Sequence, residues 1–383
     1  MHINKYGSRV YVGDSIGYGV ISLFCVTGII DENEWNIPAL SRLDKWGHQR
    51  YYTSTIKFNG GSNMKDNLLF QKFVMAISDL IGTQFGGAHK IKVECITKNN
   101  GVKMHGIMRT DQRQSAVIYL EPFFAKYEMQ LKQDFEHQVK VVAKEMVEMF
   151  KRKELDYDIV QSNVYCDLEF MKNNVTYRII NGKWNEETLK IRPYIPFMDM
   201  VIVFQLYLGV TENCVVSTEV RNNHIKNLGI SVEELYEYAK NNTERLMPLS
   251  IEKLSNSLTS IYFDEEDKRD GGVKEFSMYV ITNEYGVNGA AAVMYKGALA
   301  NLAEHLDSNL LIFPSSTHEV LLIPFGNKSE VTSDAEWIVR AVNRSDVHEI
   351  ERLSDRAYFY DKDKCELSFA LPREGEEQIV IQL

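Results

Sequence analysis

Cysteine is sparse in this chain and never clustered. Cys25, Cys95, Cys166, Cys214 and Cys365 form no Cys-x-x-Cys pair, and none has a histidine close by in sequence. A zinc ribbon or a local disulfide frame is therefore not encoded, and five scattered thiols fit a reducing compartment. Long apolar runs are missing too: nothing approaches the roughly 20 residues that span a bilayer. The nearest imitation of a signal-peptide core, Val20 to Ile30, follows two glycine-bearing polar turns and lacks a basic start and a small-residue cleavage site. It is expected to be a buried strand, with the protein cytoplasmic and away from membranes. Basic surplus is likewise absent. A net charge of −10 disfavours general nucleic-acid binding, which needs clustered cations to neutralise phosphates. Lys151-Arg-Lys153 is more simply a complement to a helix C-terminal dipole. Gly13, Gly17 and Gly19 lack the strand-to-helix setting of a dinucleotide fingerprint. No cofactor and no metal is expected.

What is present is ordinary core material: 44 % apolar, 11 % aromatic and 25 % charged residues. A chain of 383 residues exceeds what one core usually serves, so two or three compact units are expected. Residues 1–63 read as a β-rich appendage, with strands at Arg9 to Val12, Gly19 to Val26 and Tyr51 to Phe58 and a small core from Trp35 and Trp46. Its end, Phe58-Asn-Gly-Gly-Ser-Asn63, has the composition of a joint.

Residues 64–155 read as an α-β-β-β-α unit. Leu68, Leu69, Phe73, Ile77, Leu80 and Ile81 recur at helical spacing; Ile91 to Ile96, Lys103 to Met108 and Ala116 to Leu120 are strands; one long helix is predicted over Phe124 to Phe150. Residues 156–383 form a larger mixed unit. It begins with a predicted helix around Ile159 to Met171, then Tyr177 to Ile180 and a loop holding Arg192-Pro-Tyr-Ile-Pro196. Met198 to Leu208 is nearly all apolar and Val215 to Val220 alternates opposite it, which predicts a central strand pair. Ser231-Val-Glu-Glu234 is a capping box that starts a helix to about Asn241. The run Asp264 to Gly272 is a charged loop before a strand at Met278 to Thr282. A helix at Lys296 to His305, a strand at Val320 to Pro324, a helix at Asp334 to Val342 started by Ser333, and strands at Ala357 to Tyr360 and Gln378 to Ile381 complete the expectation. The predicted class is α+β: two mixed α/β units with a small β-rich N-terminal appendage.

Several blocks carry a resemblance: Lys98-Asn-Asn-Gly-Val102, Ile118-Tyr-Leu-Glu-Pro122, Phe197-Met-Asp199, Val220-Arg-Asn-Asn-His-Ile225, Asn-Thr-Glu-Arg-Leu-Met-Pro248, Tyr279-Val-Ile-Thr-Asn283 and Pro314-Ser-Ser-Thr-His-Glu-Val-Leu-Leu322. From about Met64 to the C-terminus the chain resembles an uncharacterised bacterial family known only as a domain of unknown function, typical of gut clostridia and their mobile elements. The C-terminal half more faintly resembles a second uncharacterised family from bacilli. The first resemblance implies a mobile-element setting and no activity or site residues.

The best local cluster is Ser315, Ser316, Thr317, His318 and Glu319. Serine beside histidine suggests nucleophile and base, but hydrolysis needs those groups within hydrogen-bond reach, an orienting third group and an oxyanion hole. Adjacent strand residues point to opposite faces, so Thr317 and Glu319 would share one face and His318 would not. A turn whose hydroxyls and imidazole serve main-chain groups explains the same letters. Asn283, Glu284 and Asn288 end another strand. If that strand and the one before Ser315 run in the same direction, the two clusters lie side by side and form the preferred binding site. Arg221 and His224 can bind an anion or a partner carboxylate, or simply cap the next turn. His105 and His137 read as satisfied imidazoles, and the pairs Glu233 with Glu234 and Glu376 with Glu377 as exposed charges.

The leading expectation is a non-catalytic cytoplasmic protein-binding or regulatory factor, an accessory or anti-defence protein of a mobile element. The alternatives are a hydrolase or transferase using His318 with Glu319 or Ser316, oriented by Asn283, and a small-molecule ligand sensor. A protein partner would be favoured by an exposed apolar patch around Tyr51, Tyr52, Phe123 and Phe124.

Overall fold

The computed structural model describes residues 12–15 and 20–23 as backbone, and residues 68–111, 117–153, 164–211, 214–254, 277–373, 375 and 379–383. In the N-terminal segment β1 (Val12–Ser15) and β2 (Val20–Leu23) form an antiparallel hairpin. Tyr51 to Phe58, Trp35, Trp46, the Asp264 to Gly272 run and Glu376 with Glu377 lie outside the described residues. The chain divides into two compact units. One comprises residues 1–98, 102–165 and 206–219; the other comprises 99–101, 166–205 and 220–383.

In the first unit α1 (Leu68–Gln84) buries Phe70, Phe73, Ile77 and Ile81, the i, i+3, i+7 stripe of an amphipathic helix. It closes where Gly87, at φ +139, donates its N–H to the Gly82 carbonyl at 2.8 Å. The sheet that follows is an antiparallel meander of β3 (Ile91–Thr97), β4 (Lys103–Arg109) and β5 (Ile118–Tyr119). Two corrections concern what comes next. The third strand is only two residues long, because Leu120 already opens α2 (Leu120–Gln133). Pro122 sits in that helix's first turn, where no intrahelical acceptor waits for its missing N–H. The expected single helix over 124–150 is two: Asp134, at φ −142 and ψ 82, ends α2 and its carboxylate accepts the His137 N–H to start α3 (Phe135–Lys153). Phe123 and Phe124 are core residues, not an exposed patch. Phe124 packs edge-on to Phe70 at 5.1 Å among Phe73, Leu131, Val142 and Met146. Each such ring contributes about 1.5–3 kcal/mol of burial.

In the second unit the described elements run α4 (Leu168–Asn174), β6 (Val175–Asn181), α5 (Glu186–Leu189), β7 (Tyr194–Phe197), β8 (Met200–Thr211), β9 (Cys214–Glu219), α6 (Asn222–Leu228), α7 (Val232–Leu246) and β10 (Leu249–Lys253), the outer part of β8 and all of β9 grouping with the first unit. Then come β11 (Tyr279–Asn283), α8 (Ala298–Leu306), β12 (Asn309–Phe313), β13 (Val320–Phe325), α9 (Asp334–Ser345), β14 (Tyr358–Asp361), β15 (Glu366–Phe369) and β16 (Val380–Gln382). The seven-stranded sheet has the order β10-β11-β13-β12-β14-β15-β16 with every neighbouring pair antiparallel. Antiparallel strands with helices segregated between them define an α+β fold.

Four local expectations are corrected here. The Arg192 to Pro196 loop contains β7, whose Pro196 is tolerated because β7 is the edge of the order β6-β8-β7. The helix expected to end at Met171 occupies 168–174, with Asp167 accepting the Phe170 N–H as its cap; residues 159–163 are outside the described set. The helix from Ser231 continues past Asn241 to Leu246, its capping box intact through Glu234 N–H to Ser231 Oγ and Ser231 N–H to Glu234 Oε2. At α9 the hydroxyl serving the free Asp334 N–H belongs to Thr332, not Ser333.

Candidate functional site

Two same-direction strand ends create the candidate corner. β11 and β12 are each antiparallel to β13, which lies between them, so both end where β13 begins. The loop after β11 therefore meets the loop before β13. Asn283, buried at the end of β11, accepts the Tyr285 N–H at 3.0 Å and donates to the Val287 carbonyl at 2.8 Å, which folds the chain back tightly. Asn288 follows in the left-handed region at φ 52, a conformation asparagine tolerates better than most residues. Its main-chain N–H donates to His318 Nδ1 at 3.2 Å, and its amide nitrogen donates to Gln205 Oε1 at 3.2 Å. Glu284 is exposed, its N–H bonded to the Pro248 carbonyl.

From the other side the Ser-Ser-Thr-His-Glu run closes the corner. Ser316 Oγ accepts the His318 N–H at 3.1 Å, and the Ser316 N–H donates to the Glu319 carbonyl. The Thr317 N–H reaches the Glu351 carbonyl at 2.8 Å, and Thr282 Oγ1 donates to the His318 carbonyl at 2.8 Å. Thr317 and Glu319 are buried while Ser315, Ser316 and His318 are half-buried, and the chain bends at Thr317 and His318. His318 Nε2 lies 3.6 Å from Glu351 Oε1 with 15 % of the side chain exposed. Because Nδ1 accepts a main-chain N–H, the ring proton sits on Nε2. The arrangement locks two loops together.

Arg221 and His224 lie elsewhere in the same unit. The Arg221 N–H donates to His224 Nδ1 at 3.2 Å at the start of α6, so the imidazole caps the helix. Burial, then the neighbouring Arg221 charge, hold this imidazole down at about 4. The structure thus brings Asn283, Asn288, Ser316, Thr317 and His318 together and leaves Arg221 and His224 at a separate turn.

Sequence reading missed four constellations, each assembled from distant residues. In the first unit Glu121 Oε1 accepts both the His105 main-chain N–H and His105 Nδ1, each at 2.7 Å. Burial pushes this carboxyl up, against the His105 hydrogen bonds that pull it down. In the second unit Glu336 receives Arg356 at 2.6 Å, Arg340 at 3.1 Å and Arg373 at 3.2 Å. Asp199 accepts Tyr358 Oη at 2.6 Å and Ser354 Oγ at 2.7 Å beside a cavity of about 20 Å³ lined by Ile179, Phe197, Met200 and Tyr358. Asn100 and Asn185 exchange two hydrogen bonds of 2.9 Å. Only the Phe-Met-Asp and Lys-Asn-Asn-Gly blocks hinted at any of these. Among the described residues no group of three or more His, Cys, Asp or Glu is placed to hold a metal ion, and no helix is long and apolar enough to cross a membrane.

Fold and site together define an α+β protein built on antiparallel sheets, with a hydrogen-bonded polar corner at the end of the larger one. By sequence the chain belongs to DUF5688, a family of unknown function, whose model matches residues 70–362. No curated protein and no solved structure matches it.

Proposed function

We propose that the larger unit acts by binding a protein partner in the bacterial cytoplasm, in the regulatory or anti-defence setting of a mobile element, and that its polar corner is a non-catalytic docking feature. The observation that carries this reading is the commitment of the corner's polar groups. His318 Nδ1, Ser316 Oγ, Asn283 and Asn288 all serve main-chain or amide partners, so the surface they shape is held rigid. A preformed surface loses little conformational entropy on association. The mobile-element setting rests on the sequence resemblance, an associational argument.

The test uses the full chain as bait in a lysate of a bacterium that carries it. The captured protein is then made separately, and the two are mixed and sedimented. A 1:1 complex weakened by a charge reversal at Glu284 supports the proposal. Turnover of an ester, phosphoester or peptide that disappears in His318→Asn would overturn it, because that variant keeps the main-chain acceptor and removes only the base.

A further inference from the structure

The exposed thiol of Cys95 lies directly across the β3/β4 ladder from His105. In an antiparallel ladder, directly opposed residues project from the same face. That face also carries Ile91, Val93 and Ile107 toward the helices, and farther along it come Cys95 and His105, the His105 ring edge-on to Phe70 at 5.2 Å. The His105 main-chain N–H points away from β3, since it donates to Glu121. Cys95 and His105 are therefore a non-hydrogen-bonded pair, the kind whose Cα atoms stand only about 4.5 Å apart.

The ring is held in one orientation. With the Glu121 carboxyl ionised, Oε1 accepts from both the His105 main-chain N–H and Nδ1, which then carries the ring proton. Nε2 is then the bare nitrogen, on a side chain that is 23 % exposed. Behind it Glu121 is 6 % exposed, and its second oxygen, Oε2, is buried with no hydrogen-bond partner. Lys103, opposite Thr97 on the same face and diagonal to Cys95, adds a cation to the open side.

We propose that Cys95 is a reactive thiol that exchanges with small disulfides, with His105 as its base and Glu121 as the residue that positions His105. The Cys95 proton passes to His105 Nε2, and the thiolate attacks one sulfur of R–S–S–R. The S–S bond breaks, a Cys95–S–S–R bond forms, and the departing thiolate takes the proton from His105 as R–SH. Cys95 is oxidised and one R–S group is reduced, with the disulfide itself as oxidant. A disulfide sulfur develops no oxyanion, so a thiol, a base and open approach suffice, whereas an acyl carbon would also need oxyanion donors. This goes beyond partner binding by the larger unit and does not depend on it.

The test exposes the reduced full chain to oxidised glutathione and follows the mixed disulfide at each cysteine by peptide mass spectrometry, with Cys166, also exposed and free, as internal reference. Cys95 is expected to react at least ~10-fold faster than Cys166, the scale of a modest general-base contribution. His105→Asn, whose amide can still donate to Glu121, should bring the ratio to about 1 and remove from the pH–rate profile the imidazole step that Cys166 lacks. Glu121→Asp should restore part of what Glu121→Gln loses. Equal rates at Cys95 and Cys166 in the unaltered chain, or an advantage that survives in His105→Asn, would refute the proposal. So would faster acetylation of Cys95 by p-nitrophenyl acetate than its disulfide exchange, which would assign acyl chemistry instead.

Discussion

The main-chain N–H of Asn288 ends on Nδ1 of His318, 3.2 Å away and 30 residues later in the chain. Asn288 is buried and left-handed, so its N–H has no alternative partner in regular secondary structure. His318→Ala strands that donor and is expected to cost about 1–3 kcal/mol in urea unfolding. His318→Asn, whose Oδ1 can occupy the place of Nδ1, should recover at least half of the loss. Equal destabilisation by both variants would mean that ring packing, not the acceptor, is what the site requires.

Beside that bond, Gly289 is where two loops approach too closely for a side chain. A Cβ there would collide with Thr282 Oγ1 and lie 2.6 Å from the His318 carbonyl oxygen and 2.8 Å from the Asn283 nitrogen. Two of those three neighbours are main chain and cannot rotate away. Gly289→Ala should therefore lower stability by at least ~2 kcal/mol. Gly326→Ala meets only the end of the Glu330 side chain at 3.6 Å and should stay within about 0.5 kcal/mol. Thermal melts of the two variants side by side decide the matter.

His224 gives the second unit an acid-sensitive joint. Its imidazole is neutral in the folded chain down to about pH 4, while an unfolded chain protonates it near 6.5. Above 6.5 both states are neutral and stability is unaffected. Between 6.5 and 4 the unfolded state binds the extra proton, so stability falls as pH falls; below 4 both states are charged and the loss stops growing. The ring is half-buried, so screening reduces the loss to about 1–2 kcal/mol. In His224→Asn, which keeps an acceptor for the Arg221 N–H, that part of the pH dependence should vanish from denaturant titrations run across the window.

How far these features could be read beforehand depended on whether their cause was local. The Ser231 to Glu234 capping box, the apolar run of β8 and the polar corner before β13 are written in neighbouring residues, and each was visible. In the sequence the same direction of β11 and β12 stands only as a condition, because strand order is not written locally; in the structure both flank β13 and Asn288 meets His318. The break at Asp134 was hidden because apolar spacing continues through it from Leu131 to Phe135 and Val139. β10 and β15 alternate too briefly to stand out, and they exist because a neighbouring strand pairs with them. His105 reads as a satisfied imidazole and Glu121 only as part of the Ile-Tyr-Leu-Glu-Pro block; only pairing register sets His105 opposite Cys95, and only the turn into α2 brings Glu121 to His105. Sequence carries no sign of a contact made across a ladder.

Around Glu336 one carboxylate meets three guanidinium groups, and burial separates their contributions. Arg356 and Glu336 are both nearly inaccessible and 2.6 Å apart, whereas Arg373 is 49 % exposed. Burial pushes the Glu336 carboxyl up, but hydrogen bonds from Arg356 and Arg373 outweigh it and leave the group below its ordinary value. Glu336→Ala leaves Arg356 buried without its anion and should cost about 3–5 kcal/mol; Arg373→Ala should cost less than ~1 kcal/mol because its charge is largely solvated. The contribution of Glu336 is fully present above 4.5 and is lost as pH falls through its depressed folded value, so Glu336→Gln should flatten the acid limb of the stability curve. Arg356→Met combined with Glu336→Met should cost clearly less than the two single substitutions added together, since the second removes a charge the first has already orphaned. Strict additivity in that cycle would show that the two side chains stabilise the fold through packing, including the stacking of Arg356 on Phe369 at 4.0 Å, and not through each other.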